Sequence, residues 1–241
     1  MVVETRLRSV GARSDDPWAR FSAEARYAWS RSALADFSPK ATAYALQGAA
    51  EARIPPGLLP PPRVGPDQDG TVLLIVSGLV RTFRRNETRQ ITTRYAGKYE
   101  LVGIPALIKH GSSAHGEVIA DGHMLRIVGK RLREVIRHDP ESAWVVMREI
   151  ARLHDAAVDM ACDNVFLNVR QRVARHLLDL AVREPDGLVV YASHQDVADA
   201  IGSVREVVSR VIREMRAEAL ITRSEGRMVL TRPGDLVSAD R

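Results

Sequence analysis

The chain has 241 residues, 45% of them apolar, so it can bury a core and is not disordered as a whole. Its 35 basic residues outnumber 30 acidic ones, a formal +5 that permits an anionic partner such as nucleic acid without demanding one. The single cysteine, Cys162, excludes an internal disulfide and any cysteine-only zinc or iron–sulfur site within one chain, and a buried structural thiol is expected there.

The first stretch, "MVVETRLRSV", is short and already charged, and no apolar run reaches the roughly 18 residues a membrane helix needs. The expectation is a cytoplasmic protein that does not enter a membrane. Trp18, Phe21, Ala25 and Trp29 recur at helical spacing, with Asp16 as cap and Pro17 at the first helical position. "RIPPGLLPPPRVGPDQDG" then places six prolines in eighteen residues, which rules out helix or central strand and leaves a loop or an irregular edge.

From Thr71 the pattern turns to strands. "TVLLIVSGLVRTFRR" is β-rich and broken by "SG" at 77–78. "NETRQ" at 86–90 reads as a turn and "ITTRY" at 91–95 as a strand. "GEVIA", "DG" and "HMLRIVG" suggest two more strands. Several short strands with glycine turns predict a mostly β sandwich or barrel over roughly 60–130.

Helical periodicity follows. "KRLREVIRHDP" predicts a short helix ending near Pro140. "ESAWVVMREIARLHDAAVDMACDNVF" runs without glycine or proline. In it Trp144, Met147, Ala151, His154, Val158, Ala161 and Val165 alternate three and four apart, a heptad-like stripe widened by Ile150, Leu153 and Ala157. Such a helix is an interdomain connector, one arm of a coiled-coil-like dimer, or a long core helix of an all-α domain. "NVRQRVARHLLDLAV" at 168–182 is another amphipathic helix, "REPDG" a loop and "LVVYA" a short strand.

Ser193 is a good N-cap with Asp196 three residues on, a variant of the capping box. "HQDVADAI" buries Val197, Ala200 and Ile201, and Gly202 suits a tight turn with positive φ. Val204, Val207, Val208, Val211, Ile212 and Met215 then face inward on a second helix at 203–216. Helix, glycine turn, helix is the helix-turn-helix pattern. Arg205, Glu206, Ser209, Arg210 and Arg213 lie off the apolar stripe, all but Arg213 in the first two turns, the part that enters a major groove. An arginine fork can grip guanine O6 and N7, and a glutamate can accept from cytosine N4. Glu206 has a rival role as half of a capping box with Ser203. "LITRSEGRMVLTRP" follows as strand, "SEG" turn and strand, a small wing. Residues 203–232 hold seven arginines against four glutamates, a local +3 suited to phosphate. Ser193, His194, Gln195, Ser203, Arg213, Arg223 and Arg227 are the candidates for backbone contact.

These residues resemble the Crp/Fnr family of bacterial transcription regulators. "NVRQRVARHLLDLA" resembles the helix that opens its winged-helix domain, and "HQDVADAIGSVREVVSRVIREMRAEALI" its helix-turn-helix. The likeness continues less tightly back to "LLIVSGLVRTFRRN". It implies an α+β chain in four parts. These are a divergent N-terminal extension (1–60), a cupin-like, cyclic-nucleotide-binding-like β-roll (61–138), a dimerisation helix (139–167) and a winged helix-turn-helix (168–241). It further implies a homodimer held near 141–165 on an inverted-repeat site in double-stranded DNA, with Arg205, Glu206 and Arg210 as base readers. Ser209 completes the "E-x-x-S-R" form of the oxygen-sensing branch, whose half-sites resemble TTGAT, while Arg205 matches the cyclic-AMP branch. Activation would add RNA polymerase as a partner; repression would need only site occlusion.

The family's phosphate cassette, "G-E-L-A/G" with an arginine and a Ser/Thr about ten residues on, is not matched by "VGIPALIKHGSSAHGEV". Gly103 is kept, the glutamate position is Ile104, and the arginine falls near Ala114, followed by His115. Without the bidentate anion partner, binding of cyclic AMP or GMP is not expected, although Lys109, Ser112 and Ser113 could compensate. No cofactor or metal is expected: the four-cysteine cluster is absent, and His110, His115, His123 and His154 are candidate haem ligands only in the weakest sense. The competing class is a ligand-binding or protein-interaction module that keeps a winged helix as scaffold, which should leave positions 205, 206 and 210 without donor–acceptor chemistry. An enzyme would need a nucleophile, acid/base pair or metal cluster, and none is found.

Overall fold

The computed structural model describes residues 16–60, 70–85, 87, 90–109, 114–184, 187–224 and 227–238. They divide into two compact units, one within 1–81 and 96–155, the other within 82–95 and 156–241.

In the first unit the N-terminal helix starts later than Pro17. Asp16 caps only one turn, its Oδ1 accepting the Trp18 N–H at 2.9 Å. Ser22 then caps α1 (Ala23–Arg31) by accepting the Ala25 N–H. Ser38 caps α2 (Pro39–Ala45), with proline at its first position. Trp18 meets Phe21 and Trp29 edge-on at 5.8 and 5.5 Å between ring centroids, and Trp29 meets Phe37 at 6.1 Å. The strands of the first sheet are β1 (Ala50–Ile54), β2 (Gly57–Leu58), β3 (Thr71–Arg85), β4 (Gln90–Ala96), β5 (Leu101–Val102) and β6 (His115–Val128), of which Thr82–Arg85 of β3 and Gln90–Tyr95 of β4 are counted with the second unit. They join in the order β1-β6-β3-β4, with β2 also on β6 and β5 on β3. β1 pairs along its whole length with β6, from Ala50↔Arg126 to Ile54↔Gly122. The sheet domain therefore begins inside the segment expected to be an extension. The proline-rich stretch supplies an edge, β2; its residues 61–69 lie outside the described set.

Two expected turns are not turns. β3 runs fifteen residues through "SG" and β6 fourteen through "DG". Gly78 has φ +99°, and a Cβ there would come within 2.6 Å of the Asp121 carbonyl. The two glycine sites face each other, so the strands bend past one another without reversing. Gln90 belongs to β4, while Asn86, Thr88 and Arg89 of the expected turn lie outside the described residues. The two-residue period buries both faces of β3. Val72, Leu74 and Val76 join the cluster with α1 and α2, and Ile75 joins a second cluster with Val80, Val118 and Met124.

The helices α3 (Ile104–Lys109), α4 (Gly129–His138) and α5 (Pro140–Phe166) follow. α5 has 27 residues and spans about 40 Å at the usual helical rise. Ser142, Val145, Val146 and Glu149 are buried on one of its faces. All seven stripe residues are exposed on the other, Trp144 at 61% and Val165 at 77%. Cys162 is exposed, not buried, because nearly every side chain of α5 past Glu149 faces outward. No described helix is long and apolar enough to cross a membrane.

The second unit holds α6 (Val169–Leu180), β7 (Val182–Glu184), β8 (Gly187–Val190), α7 (His194–Ile201), α8 (Arg205–Ala217), β9 (Ile221–Ser224), β10 (Arg227–Leu230) and α9 (Pro233–Ser238). Asn168 and Gln171 form a capping box on α6. The sheet order is β7-β8-β10-β9. Residues 182–184, expected within helix and loop, pair with β8 instead, Val182 opposite Val189. Val173, Leu177, Val197, Ile201, Val208, Ile212, Met215 and Leu230 are buried. Val204, expected inward, is 52% exposed because it is the N-cap of α8 and lies before the first helical turn.

Candidate nucleic-acid interface

The turn between α7 and α8 is built from local chemistry. Ser193 accepts the Asp196 N–H at 3.1 Å, and Asp196 accepts the Ser193 N–H at 2.8 Å, closing the expected capping box. α7 ends at Gly202, whose φ of 67° and ψ of 33° are left-handed, and the Ser203 N–H returns to the Ala198 carbonyl at 2.9 Å. From the neighbouring helix, Arg172 Nη1 donates to the Ile201 carbonyl at 3.0 Å. That anchor carries no local sequence signal, and residue-by-residue reading misses it.

α8 begins at Arg205 behind Val204, and no side chain caps it. The box between Ser203 and Glu206 does not form, so Glu206 is spared its rival role. Arg205, Glu206 and Arg210 are exposed, and no described residue hydrogen-bonds or ion-pairs with their side chains. Arg213, Arg216 and Arg223 are exposed in the same way. Arg216 sits in the last turn of α8, beyond the first two turns that enter a groove. Ser209 is half-buried, and its Oγ lies 2.8 Å from His194 Nδ1. Burial first, then the charges of Arg223, Arg205 and Arg216, hold the His194 imidazole below its ordinary pKa. Gln195 donates to Asp199 Oδ1 at 2.7 Å. The helix pair thus brings His194 and Ser209 together, with Arg205, Arg216 and Arg223 near enough to act on the imidazole.

The wing forms as expected, with Arg227 opposite Ser224 across β9 and β10; Glu225 and Gly226 at its tip lie outside the described residues. Arg227 is not an open cation. Its Nη1 donates to Glu184 Oε2 at 2.7 Å and to Tyr191 at 3.3 Å, which ties the wing to β7. Arg232 is likewise engaged, by Asp235 at 3.4 Å.

Residues 171–238 match the Crp-like helix-turn-helix domain. The transcriptional regulator LdrP of Thermus thermophilus is 30% identical over 138 residues, covering 52% of this chain and 69% of that protein. The chain belongs to the Crp/Fnr family. The cAMP-activated global transcriptional regulator CRP of Haemophilus influenzae is 25% identical over 163 residues, 64% of this chain and 73% of that one. In fold, the c-di-GMP responsive regulator CLP of Xanthomonas campestris matches with a TM-score of 0.64 at 21% identity, over 80% of this chain and 99% of that structure. The chain is accordingly a Crp/Fnr-type transcription regulator with a helix-turn-helix DNA-binding domain, not an enzyme.

In the run that aligns with the Crp/Fnr cassette, Gly103 keeps a positive φ of 106°, and a Cβ there would press within 2.5 Å of the Thr71 carbonyl. Ile104 opens α3 with no exposure at all, inside the cluster that holds Leu107, Leu132 and Val135. His110, Ser112 and Ser113 lie outside the described residues. His123 Nε2 lies 3.2 Å from Glu51 Oε2, and His154 is exposed on α5.

Proposed function

We propose that this regulator works as a homodimer that reads an inverted repeat in double-stranded DNA, one α8 in each half-site. The observation that carries the reading is the face of α8. Arg205, Glu206 and Arg210 are exposed within its first two turns, with no hydrogen-bond or ion-pair partner among the described residues, behind a capped α7 and a left-handed Gly202. Groups left open this way are available to base edges, where an arginine fork takes guanine and a carboxylate takes cytosine. Ser209 shares its hydroxyl with His194 and keeps further hydrogen-bonding capacity for a base. Arg213, Arg216 and Arg223 add the sequence-independent attraction to phosphate.

The dimer reading rests on α5. Its apolar stripe is a continuous exposed seam of Trp144, Met147, Val158 and Val165, the kind of patch that monomeric proteins rarely leave uncovered. A second copy of the same seam covers it by two-fold symmetry, which in turn makes the operator an inverted repeat. No cyclic nucleotide instructs this dimer through the 103–119 run, because the acceptor position is a buried isoleucine.

Selection of bound duplexes from a random pool by the full chain tests the reading. The expected product is a two-fold sequence with half-site centres one helical turn apart, about 10 base pairs. Recovery of asymmetric or unrelated duplexes overturns it. Sedimentation tests the seam: the native chain runs as a dimer, and Val158→Glu, which places two like charges at the two-fold interface, runs as a monomer. A Val158→Glu protein that stays dimeric removes α5 as the interface.

A further inference from the structure

A cleft of about 490 Å³ lies on the first unit, and none of its lining residues belongs to the 103–119 run. Its walls come from α1, from β1, β3 and β6, and from the turn after β4. The volume falls in the range of small-molecule sites. The ladder Arg53↔His123 and the two-residue period put Glu51, Arg53 and His123 on one face of the sheet. Glu51 bridges wall to floor: its Oε1 accepts the Ser22 N–H at 2.6 Å, and its Oε2 faces His123 at 3.2 Å. Burial alone would raise the Glu51 carboxyl, but the Ser22 hydrogen bonds and His123 outweigh it and hold it below the ordinary glutamate value. Its carboxylate is therefore held in place by hydrogen bonds inside the cleft.

The mouth is different. Tyr27 and Tyr99 meet there edge-to-face, ring centroids 5.8 Å apart at 82°, which leaves ring surface uncovered, and Tyr27 is 57% exposed. Tyr99 is held in place at a cost: its φ is +72°, a left-handed conformation that is unusual for an aromatic residue. The Tyr99 N–H to the Ile75 carbonyl at 2.7 Å and the Gly97 N–H to Glu100 Oε2 at 2.8 Å pin that turn. Strained residues of this kind concentrate at ligand-holding sites. Around the rings stand Arg53, Lys98 and Glu24, all exposed, and none with an ion-pair partner among the described residues. At the mouth, two open cations stand beside one open carboxylate.

We propose that this cleft binds a small aromatic monocarboxylate, its ring against Tyr27 and Tyr99 and its carboxylate on Lys98 and Arg53. The ring supplies apolar contact, and the carboxylate takes charge-assisted hydrogen bonds from the two open cations. The site is distinct from the DNA-reading face and does not depend on that reading.

Calorimetric titration of the full chain with benzoate, cinnamate and indole-3-carboxylate tests it. At least one binds saturably with one molecule per chain. Benzyl alcohol, which lacks the charge, and acetate, which lacks the ring, bind at least about tenfold more weakly. Lys98→Glu and Tyr27→Ala change exposed side chains, so thermal melts stay near the native value while affinity falls by at least about tenfold in each. The proposal is overturned if none of the three acids binds saturably up to millimolar concentration, if either control matches them, or if either variant binds as well as the native chain.

Discussion

Two positions where the family resemblance places a glutamate, 206 and 104, have opposite surroundings. Glu206 stands exposed in the first turn of α8 with no hydrogen-bond or ion-pair partner among the described residues. Residue 104 is an isoleucine with no exposure, one of the largest side chains fully enclosed in the first unit's core. A carboxylate in water is available to a ligand; a buried sec-butyl group is available only to packing. The difference teaches that two positions of one family pattern can meet opposite physical demands. Residue 206 lies on a helix face that packing does not use, and residue 104 lies in a core that packing does use.

Restoring the glutamate at 104 is the harshest way to break this comparison. Ile104→Glu puts an uncompensated carboxylate among Leu107, Leu132 and Val135 and should lower stability by about 3–5 kcal/mol, read from urea unfolding. Calorimetry with cyclic AMP should show no binding for either the native chain or the variant. A stable Ile104→Glu protein that binds cyclic AMP would mean that 104 is a ligand position after all.

The second test addresses the other side. Arg210→Ala should cost roughly 1–3 kcal/mol in specific over nonspecific DNA binding, through loss of a bidentate base contact, with the melting temperature unchanged. Equal losses on selected and random duplexes would move Arg210 to the phosphate-contacting group with Arg213. Gly202→Ala is smaller. A Cβ at 202 meets nothing within 4 Å, so its whole cost is the left-handed backbone, about 1 kcal/mol in unfolding. A larger loss would show that the turn is constrained by contacts as well as by φ.

The same contrast explains what could be read from the sequence. Ser193, Asp196, Gly202 and the wing strands act on neighbours a few residues away, so their roles were legible, as was the three-and-four rhythm of the α5 stripe. The glycines at 78 and 122 looked like turns because a local reading cannot see that they face each other across two long strands. The segment up to residue 58 looked unattached because its partners on β6 lie some 60 to 75 residues on. Arg227 looked free because Glu184 sits 43 residues before it. Ser209 looked like a plain base reader because His194, on the other helix, gives it a second partner. Long-range pairing decides these roles, and it leaves no mark on the local pattern.

That last pair yields the gentlest test. His194 is held below its ordinary value of 6.5 by burial and by Arg223, Arg205 and Arg216. Between its folded and unfolded pKa values the unfolded chain binds more protons. Its contribution to stability is therefore complete above the unfolded value and is lost as pH falls through the folded one. The urea midpoint should drop slightly from about pH 7.5 to about 5.5, and His194→Gln should flatten that slope. DNA phosphates act in the opposite direction. Brought near His194 they favour its protonated form, so affinity for the selected duplex should rise slightly over the same window, and again only while His194 is present. An imidazole that changes stability but leaves affinity flat would be a packing partner of Ser209, standing outside the surface that meets DNA.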